Sequence, residues 1–193
     1  MDPLPDGLDW LTATLASDAA EGHGVVQPGL RPLDHDWRVA APAYVVQASH
    51  DDNQAVVTAL ATAPPGCVLV VSGHATSQAA TIGDIMASEL VARSVVGLVT
   101  DGLVRDASEI RTLGFRVWSR GTTPMAPVKL SPGRVGGAID IGGAFVRDGD
   151  IVIADDDGVV VWPRETVGAL LERAKARLGS DKERLAKIRA SAS

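Results

Sequence analysis

Gly97-Leu98-Val99-Thr100-Asp101-Gly102-Leu103-Val104-Arg105-Asp106 is the stretch on which the reading of this chain turns. An apolar strand, predicted over 95–100, runs into an Asp-Gly turn, and an arginine and an aspartate follow at the mouth of a short helix predicted over 106–113. Open α/β sheets hold their ligands beyond the carboxyl ends of their strands, so a charged pair at this point is well placed to bind one. The same spacing also suits a structural role, with Asp106 capping the helix and Arg105 in a surface ion pair.

On the N-terminal side, Leu8, Leu11, Leu15 and Ala19 are spaced for a helix over 8–20 with one apolar face, stopped by Gly22 and Gly24. A loop around Pro28 to Pro32 leads to a strand over 39–48. A helix over 53–63 is closed by Pro64-Pro65-Gly66, and a second strand spans 67–72. Small residues over 73–82 precede a helix over 83–93. After the quoted stretch, 115–119 reads as a strand. Strand and helix thus alternate, and the predicted fold class is layered α/β.

Beyond Gly121 the pattern becomes mainly β. Gly136-Gly137, Gly142-Gly143, Asp148-Gly149 and Asp157-Gly158 punctuate short strands near 138–146, 150–154 and 159–162. Pro163 opens a final helix with Val167, Leu170, Leu171, Ala174 and Leu178 on one side and a charged continuation, a form suited to packing on a neighbouring subunit.

With 193 residues, 46% of them apolar, the chain suits one domain over 1–193 with a substantial core. No apolar run approaches the roughly 20 residues of a membrane helix, and Asp2, Asp6 and Asp9 occupy the place of a signal's basic start, so a cytoplasmic protein is expected. The single cysteine, Cys67, lies in an apolar run and reads as core. Net charge is -6, the Lys/Arg concentration near the C-terminus is interleaved with acids, and aromatics are only 4%; neither a phosphate-tracking face nor a stacking platform for nucleic acid is expected.

A second candidate binding element is the helix start at Gly83-Asp84, where the backbone N–H groups of Ile85 and Met86 would be free to hold a carboxylate. Thr81 and Asp84 are alternatively spaced as a capping box. Asp155-Asp156-Asp157-Gly158 lacks the ligand spacing of a calcium loop and reads as a β-turn. His23, His35, His50 and His74 never take the close spacing of a zinc helix, although His74, just past a strand, is placed to neighbour an active site. Neither a P-loop nor a dinucleotide fingerprint is present. Lys175, Lys182 and Lys187 fall in the last helix and Lys129 in a Pro-flanked stretch, so no lysine suits a Schiff base, which needs a desolvated pocket.

From about Thr14 to Glu165 the chain resembles the family of 4-hydroxy-4-methyl-2-oxoglutarate/4-carboxy-4-hydroxy-2-oxoadipate aldolases, which also includes the regulator of ribonuclease activity A. The resemblance rests on Ser17-Asp18-Ala19, Gly83-Asp84, Asp101-Gly102-x-x-Arg105-Asp106, and Gly149-Asp150 through Asp155-Asp156-Asp157-Gly158-Val159-Val160-Val161-x-Pro163. The chain departs from the pattern at Arg147-Asp148, where a proline usually precedes Gly149-Asp150.

The resemblance implies a β/β/α core like that of swivelling phosphohistidine domains over about 14–165, with the C-terminal helix over about 163–191. It also implies a homotrimer or homohexamer with sites at subunit boundaries. Arg105 would bind substrate, Asp106 would anchor Mg2+ or Mn2+, and Gly83, Asp84 and the backbone of Ile85 and Met86 would add contacts. The implied activity is metal-dependent release of pyruvate from a small 2-oxo acid, by retro-aldol cleavage or by decarboxylation of oxaloacetate. Oxygen-only ligation suits Mg2+ or Mn2+. The regulator branch implies a different role, a non-catalytic body that binds a ribonuclease or another protein. A methyltransferase, a label some relatives carry, lacks the Gly-rich first turn that S-adenosylmethionine would need.

Overall fold

The computed structural model describes residues 7–27 and 29–191. Asp2, Asp6 and Pro28, which entered the reading of the N-terminus and first loop, lie outside the described residues. The first half of the chain forms α1 (Ala13–Ala19), β1 (Arg31–Pro32), β2 (Val39–Gln47), α2 (Gln54–Leu60), β3 (Val68–Ser72), α3 (Asp84–Ala92), β4 (Gly97–Thr100), β5 (Leu103–Val104), α4 (Ala107–Leu113) and β6 (Arg116–Ser119). The second half forms β7 (Gly121–Thr122), β8 (Arg134–Val135), β9 (Ala138–Ile141), β10 (Ala144–Arg147), β11 (Ile151–Asp155), β12 (Gly158–Trp162) and α5 (Val167–Ser191).

The main sheet runs β1-β6-β4-β3-β2-β11-β12, with β8 also paired to β2. Its centre, β6-β4-β3-β2, is parallel, and the flanking strands are antiparallel. A parallel centre needs cover on both faces, and every residue of β3 and β4 is buried. Leu69 and Val71 pack with Leu98 and Val117 under α2, α3 and α4, through Val56, Leu60, Met86, Leu90 and Ile110. Val68 and Val70 face the other way, with Val99 and Trp118, onto Ile139, Ile141, Ala144 and Val146 of the β9–β10 hairpin. Each such aliphatic side chain contributes on the order of 1.5–3 kcal/mol relative to exposure. The result is the β/β/α layering that the resemblance implied.

On the outer side of β11 and β12, α1 and α5 cover Ile151, Ile153, Val160 and Trp162 with Leu15, Ala16, Leu170, Leu171 and Ala174. Trp162 donates its indole N–H to Ala16 O at 3.1 Å, and Trp118 donates to Asp155 O at 2.8 Å. The expected helix over 8–20 is divided. Leu8–Trp10 is a 3₁₀ turn, Leu11 is extended, and the Thr12 hydroxyl accepts from the Leu15 N–H, so the α-helix begins only after that cap. A 3₁₀ turn, Arg164–Thr166, likewise separates Pro163 from α5. The helix expected over 53–63 ends at Leu60, followed by a turn at Ala61 and Thr62.

Gly142, at φ 51°, turns the β9–β10 hairpin, and a Cβ there would stand 2.8 Å from Val26 Cγ1. Asp155 lies opposite Gly158, so the Asp155-Asp156-Asp157-Gly158 run is the expected turn between β11 and β12. Its first carboxylate accepts from the N–H groups of Ala13 and Asp157. Cys67 is a buried core residue, and burial pushes its thiol up to about 11. Among the described residues no helix is long and apolar enough to cross a membrane.

Candidate active site

The site is built where the chain leaves β4. Thr81 N–H donates to Leu103 O at 2.7 Å and Arg105 N–H donates to Ile82 O at 3.0 Å. These bonds run the segment after β4 alongside the approach to α3, so Arg105 and Asp106 meet the N-terminus of that helix. Asp106 occupies the N-cap position of α4, yet its side chain does not cap that helix. Its backbone is left-handed, φ 54° and ψ 41°, a strained choice for a residue with a Cβ. The carboxylate instead accepts from the Asp84 N–H at 3.3 Å and pairs with Arg105 Nε at 3.3 Å. The capping alternative for Asp106 is thereby overturned, because the acid serves the neighbouring helix. Both side chains are about one third exposed (37% and 36%), and water screens the pair too strongly for it to be a major stabilising contact.

Gly83 makes the approach possible. A Cβ there would fall 2.8 Å from Arg105 Nε and closer still to Asp106 Oδ2. Gly83 is also the N-cap of α3 and has no side chain with which to cap it; Thr81 turns its hydroxyl to His74 and Thr100, so the capping-box alternative fails too. Asp84 accepts from the Ile85 N–H at 2.7 Å, so that donor, expected to be free, is engaged by its own neighbour. Met86 N–H is at the third helical position, where helix geometry provides no partner four residues back.

Gly83, Ile85, Met86 and Arg105 line one cleft of about 220 Å³, joined there by Asn53 and Lys129. Neither of these two stands out in the sequence as a site residue. Lys129 is exposed and is held at the cleft by long-range contacts of its loop. Asp52 accepts from the Leu130 and Ser131 N–H groups at 2.7 and 2.8 Å, while Asn53 N–H donates to Val128 O at 3.1 Å. No local pattern around Lys129 carries that information; the acceptor triplet at 51–53 is the nearest signal.

Burial alone would raise the Asp52 pKa, but hydrogen bonds from the Gln54, Ser131 and Leu130 N–H groups outweigh it and leave the acid below the usual carboxylate range. Its contribution to stability is therefore complete above the unfolded value and lost as pH falls through the lower folded value. Asp52→Ala is expected to cost about 2 kcal/mol, and so roughly 4–8 °C in Tm at neutral pH, with the difference from wild type narrowing in acid. Thermal unfolding at pH 7 and pH 3 checks this.

Asp101 and His74 support the site without entering it. The Asp101 carboxylate accepts from the N–H groups of Gly73 and His74 at 3.1 and 2.8 Å, fixing the start of the loop that ends at Gly83. The His74 ring is fully buried, with Nδ1 2.8 Å from the Thr81 hydroxyl and Nε2 3.0 Å from both Ser49 O and Asp52 O. Two carbonyl acceptors require the proton on Nε2. Ser17, Asp18, Asp157 and Gly158 line a different cleft, of about 270 Å³, and do not join Arg105.

A divalent ion would find oxygen donors in Asp106 and Asp84, and among the described residues no group of three or more His, Cys, Asp or Glu gathers anywhere. One or two carboxylates with substrate and water completing the shell is the mode in which Mg2+ binds, so this donor set fits.

The model of the RraA-like family, described as aldolase/RraA, matches residues 12–161. A protein of Halalkalibacterium halodurans, provisionally named a 4-hydroxy-4-methyl-2-oxoglutarate aldolase, is 33% identical over 174 residues, covering 90% of this chain and 83% of its own. Among solved structures, an uncharacterized protein from Pseudomonas syringae superposes with a TM-score of 0.85 at 26% identity, over all of this chain and 92% of its own. Streptomyces coelicolor RraAS2, described as an unusual member of the RNase ES inhibitor RraA protein family, superposes with a TM-score of 0.80 at 27% identity, over 97% of this chain and all of its own.

Proposed function

The chain belongs to the RraA-like family, and on that footing we propose that it is a divalent-metal-dependent lyase that breaks a carbon–carbon bond in a small 2-oxo acid and releases pyruvate. The observation that carries this is the meeting of Arg105 and Asp106 at the N-terminus of α3, beside the cleft that Arg105, Gly83, Ile85 and Met86 line. Breaking the bond leaves the enolate of pyruvate, whose negative charge has to be stabilised as it forms. Mg2+ or Mn2+ held by Asp106, with Asp84 alongside, would supply a Lewis acid there.

The remaining work falls to the chain's own groups. Arg105 presents a planar fork to the keto and carboxylate oxygens of the substrate. The positive end of the α3 dipole, with the Met86 N–H, favours the same carboxylate. Lys129 brings a second positive charge to the cleft, which suits a substrate with a second acidic group. Ile82 and Met86 give the cleft apolar walls that limit water at the enolate. Exposed Ile85, Met125, Val128 and Leu130 lie on or near the cleft-lining segments, and Leu185 and Ile188 are exposed on α5. These surfaces support assembly as a homotrimer or homohexamer.

Pyruvate formation from oxaloacetate and from 4-hydroxy-4-methyl-2-oxoglutarate, with Mg2+, with Mn2+ and with EDTA, tests the proposal. Release that EDTA abolishes and metal restores is expected; no release from either compound counts against it. The description of RraAS2 favours a second reading, a regulator that binds a ribonuclease without turnover. Inhibition of a ribonuclease by a preparation that releases no pyruvate would favour that role.

A further inference from the structure

We infer that Asn53 reads the far end of the substrate, and that the substrate is a 4-hydroxy-2-oxo acid with a further hydroxyl on the fragment released beside pyruvate. This rests on the lyase reading and narrows it. Asn53 stands at the N-cap of α2 but caps nothing with its side chain. It is 2% exposed. Its amide nitrogen donates to Thr81 O at 3.1 Å and lies 3.3 Å from Met86 Sδ. Exchanging the amide's O and N would set a carbonyl against a carbonyl, so the orientation is fixed. The oxygen, Oδ1, is buried and has no partner among the described residues. Buried acceptors are nearly always paired, and one that is not calls for a functional account.

The residue lines the same cleft as Arg105 and Lys129, whose side chains offer only donors. Those donors match the carboxylate and keto oxygens of a 2-oxo acid, or a second acidic group on it, and none of these acceptors can pair with Asn53. The hydroxyl on C4 cannot fill the gap either. In retro-aldol cleavage the C3–C4 bond breaks, its electron pair passes into the enolate, the C4 oxygen becomes a carbonyl, and the hydroxyl proton leaves to a base. The enolate then takes a proton from solvent to give pyruvate. A neutral amide is far too weak a base to take the hydroxyl proton, and a hydrogen bond to it would hold that proton back. The donor that Asn53 lacks is therefore a second hydroxyl, beyond the scissile bond. Met86, unbranched and beside the amide, is the wall residue best able to turn aside for it.

The test compares 4,5-dihydroxy-2-oxopentanoate with 4-hydroxy-2-oxopentanoate, which lacks only the outer hydroxyl, by kcat/KM for pyruvate release in wild type and Asn53→Leu. Wild type is expected to prefer the dihydroxy acid by about 10- to 100-fold, the scale of leaving one buried hydrogen-bonding group unpaired. The preference should fall to near one in the variant. A purely structural role for Asn53 would lower both rates and leave the ratio intact. An unchanged ratio, or no preference in wild type, overturns the inference, and the wild-type ratio decides alone if the variant does not fold. Wild type that cleaves oxaloacetate but neither pentanoate overturns the inference and leaves the lyase reading standing; wild type inactive on all three overturns both.

Discussion

Arg105→Lys is expected to lower kcat/KM for pyruvate release about 100-fold, the scale of losing one aligned charge-stabilising donor, while Tm stays within roughly 2 °C of wild type. The positive charge survives this change, so a site that used Arg105 as a point charge would lose little. What lysine cannot reproduce is the planar pair of donors that grips two oxygens at once. Stability should hold because Arg105 is more than a third exposed and its ion pair with Asp106 is screened by water. Steady-state kinetics with a thermal melt on the same preparations separates the two effects. A fully active lysine variant would remove Arg105 from the mechanism.

Gly83→Ala should be nearly as damaging to activity and as harmless to the fold. The backbone at Gly83 is extended, φ −128° and ψ −168°, so alanine adopts it without strain. The obstacle is steric, because the new methyl group enters the space of Asp106 Oδ2 and Arg105 Nε. Both are ends of side chains that can swing outward, so the fold absorbs the change at a cost below about 1 kcal/mol. The site cannot absorb it, since a shift of roughly 1 Å in positioned groups costs about 100-fold in rate. A drop of that order in kcat/KM with an unchanged melt is expected. Wild-type kinetics would mean that the close approach of Gly83 to Arg105 and Asp106 is not needed for turnover.

The parts of this molecule legible in its sequence are those fixed by local pattern. The run Cys67-Val68-Leu69-Val70-Val71 reads as a buried strand because both faces of β3 are covered, and Asp157-Gly158 reads as a turn because two strands flank it. Arg105 and Asp106 were legible as a candidate pair, since a strand end, an Asp-Gly turn and a helix start lie within ten residues. The target of the Asp106 carboxylate was not. It depends on a left-handed backbone angle and on a helix that begins 22 positions earlier in the chain, and no periodicity records either.

Thr81 shows the same limit from the other side. Its spacing from Asp84 suits a capping box, but tertiary structure offers its hydroxyl a buried histidine and a second threonine, and those partners win. Lys129 and Asn53 come to the cleft through the loop bonds of Asp52 and Val128, which join segments more than 70 residues apart. Their place in the site is a property of the fold rather than of any motif.

The most direct test of the lyase account is pyruvate release by wild type and by Asp106→Ala, each titrated with Mg2+ after removal of metal. The account predicts that metal restores wild-type release to saturation, that the variant is lower by at least about 100-fold in kcat/KM at every metal concentration, and that the two proteins melt alike. Equal, metal-stimulated release from both would contradict it, because Asp106 would then hold neither the ion nor the geometry of the site.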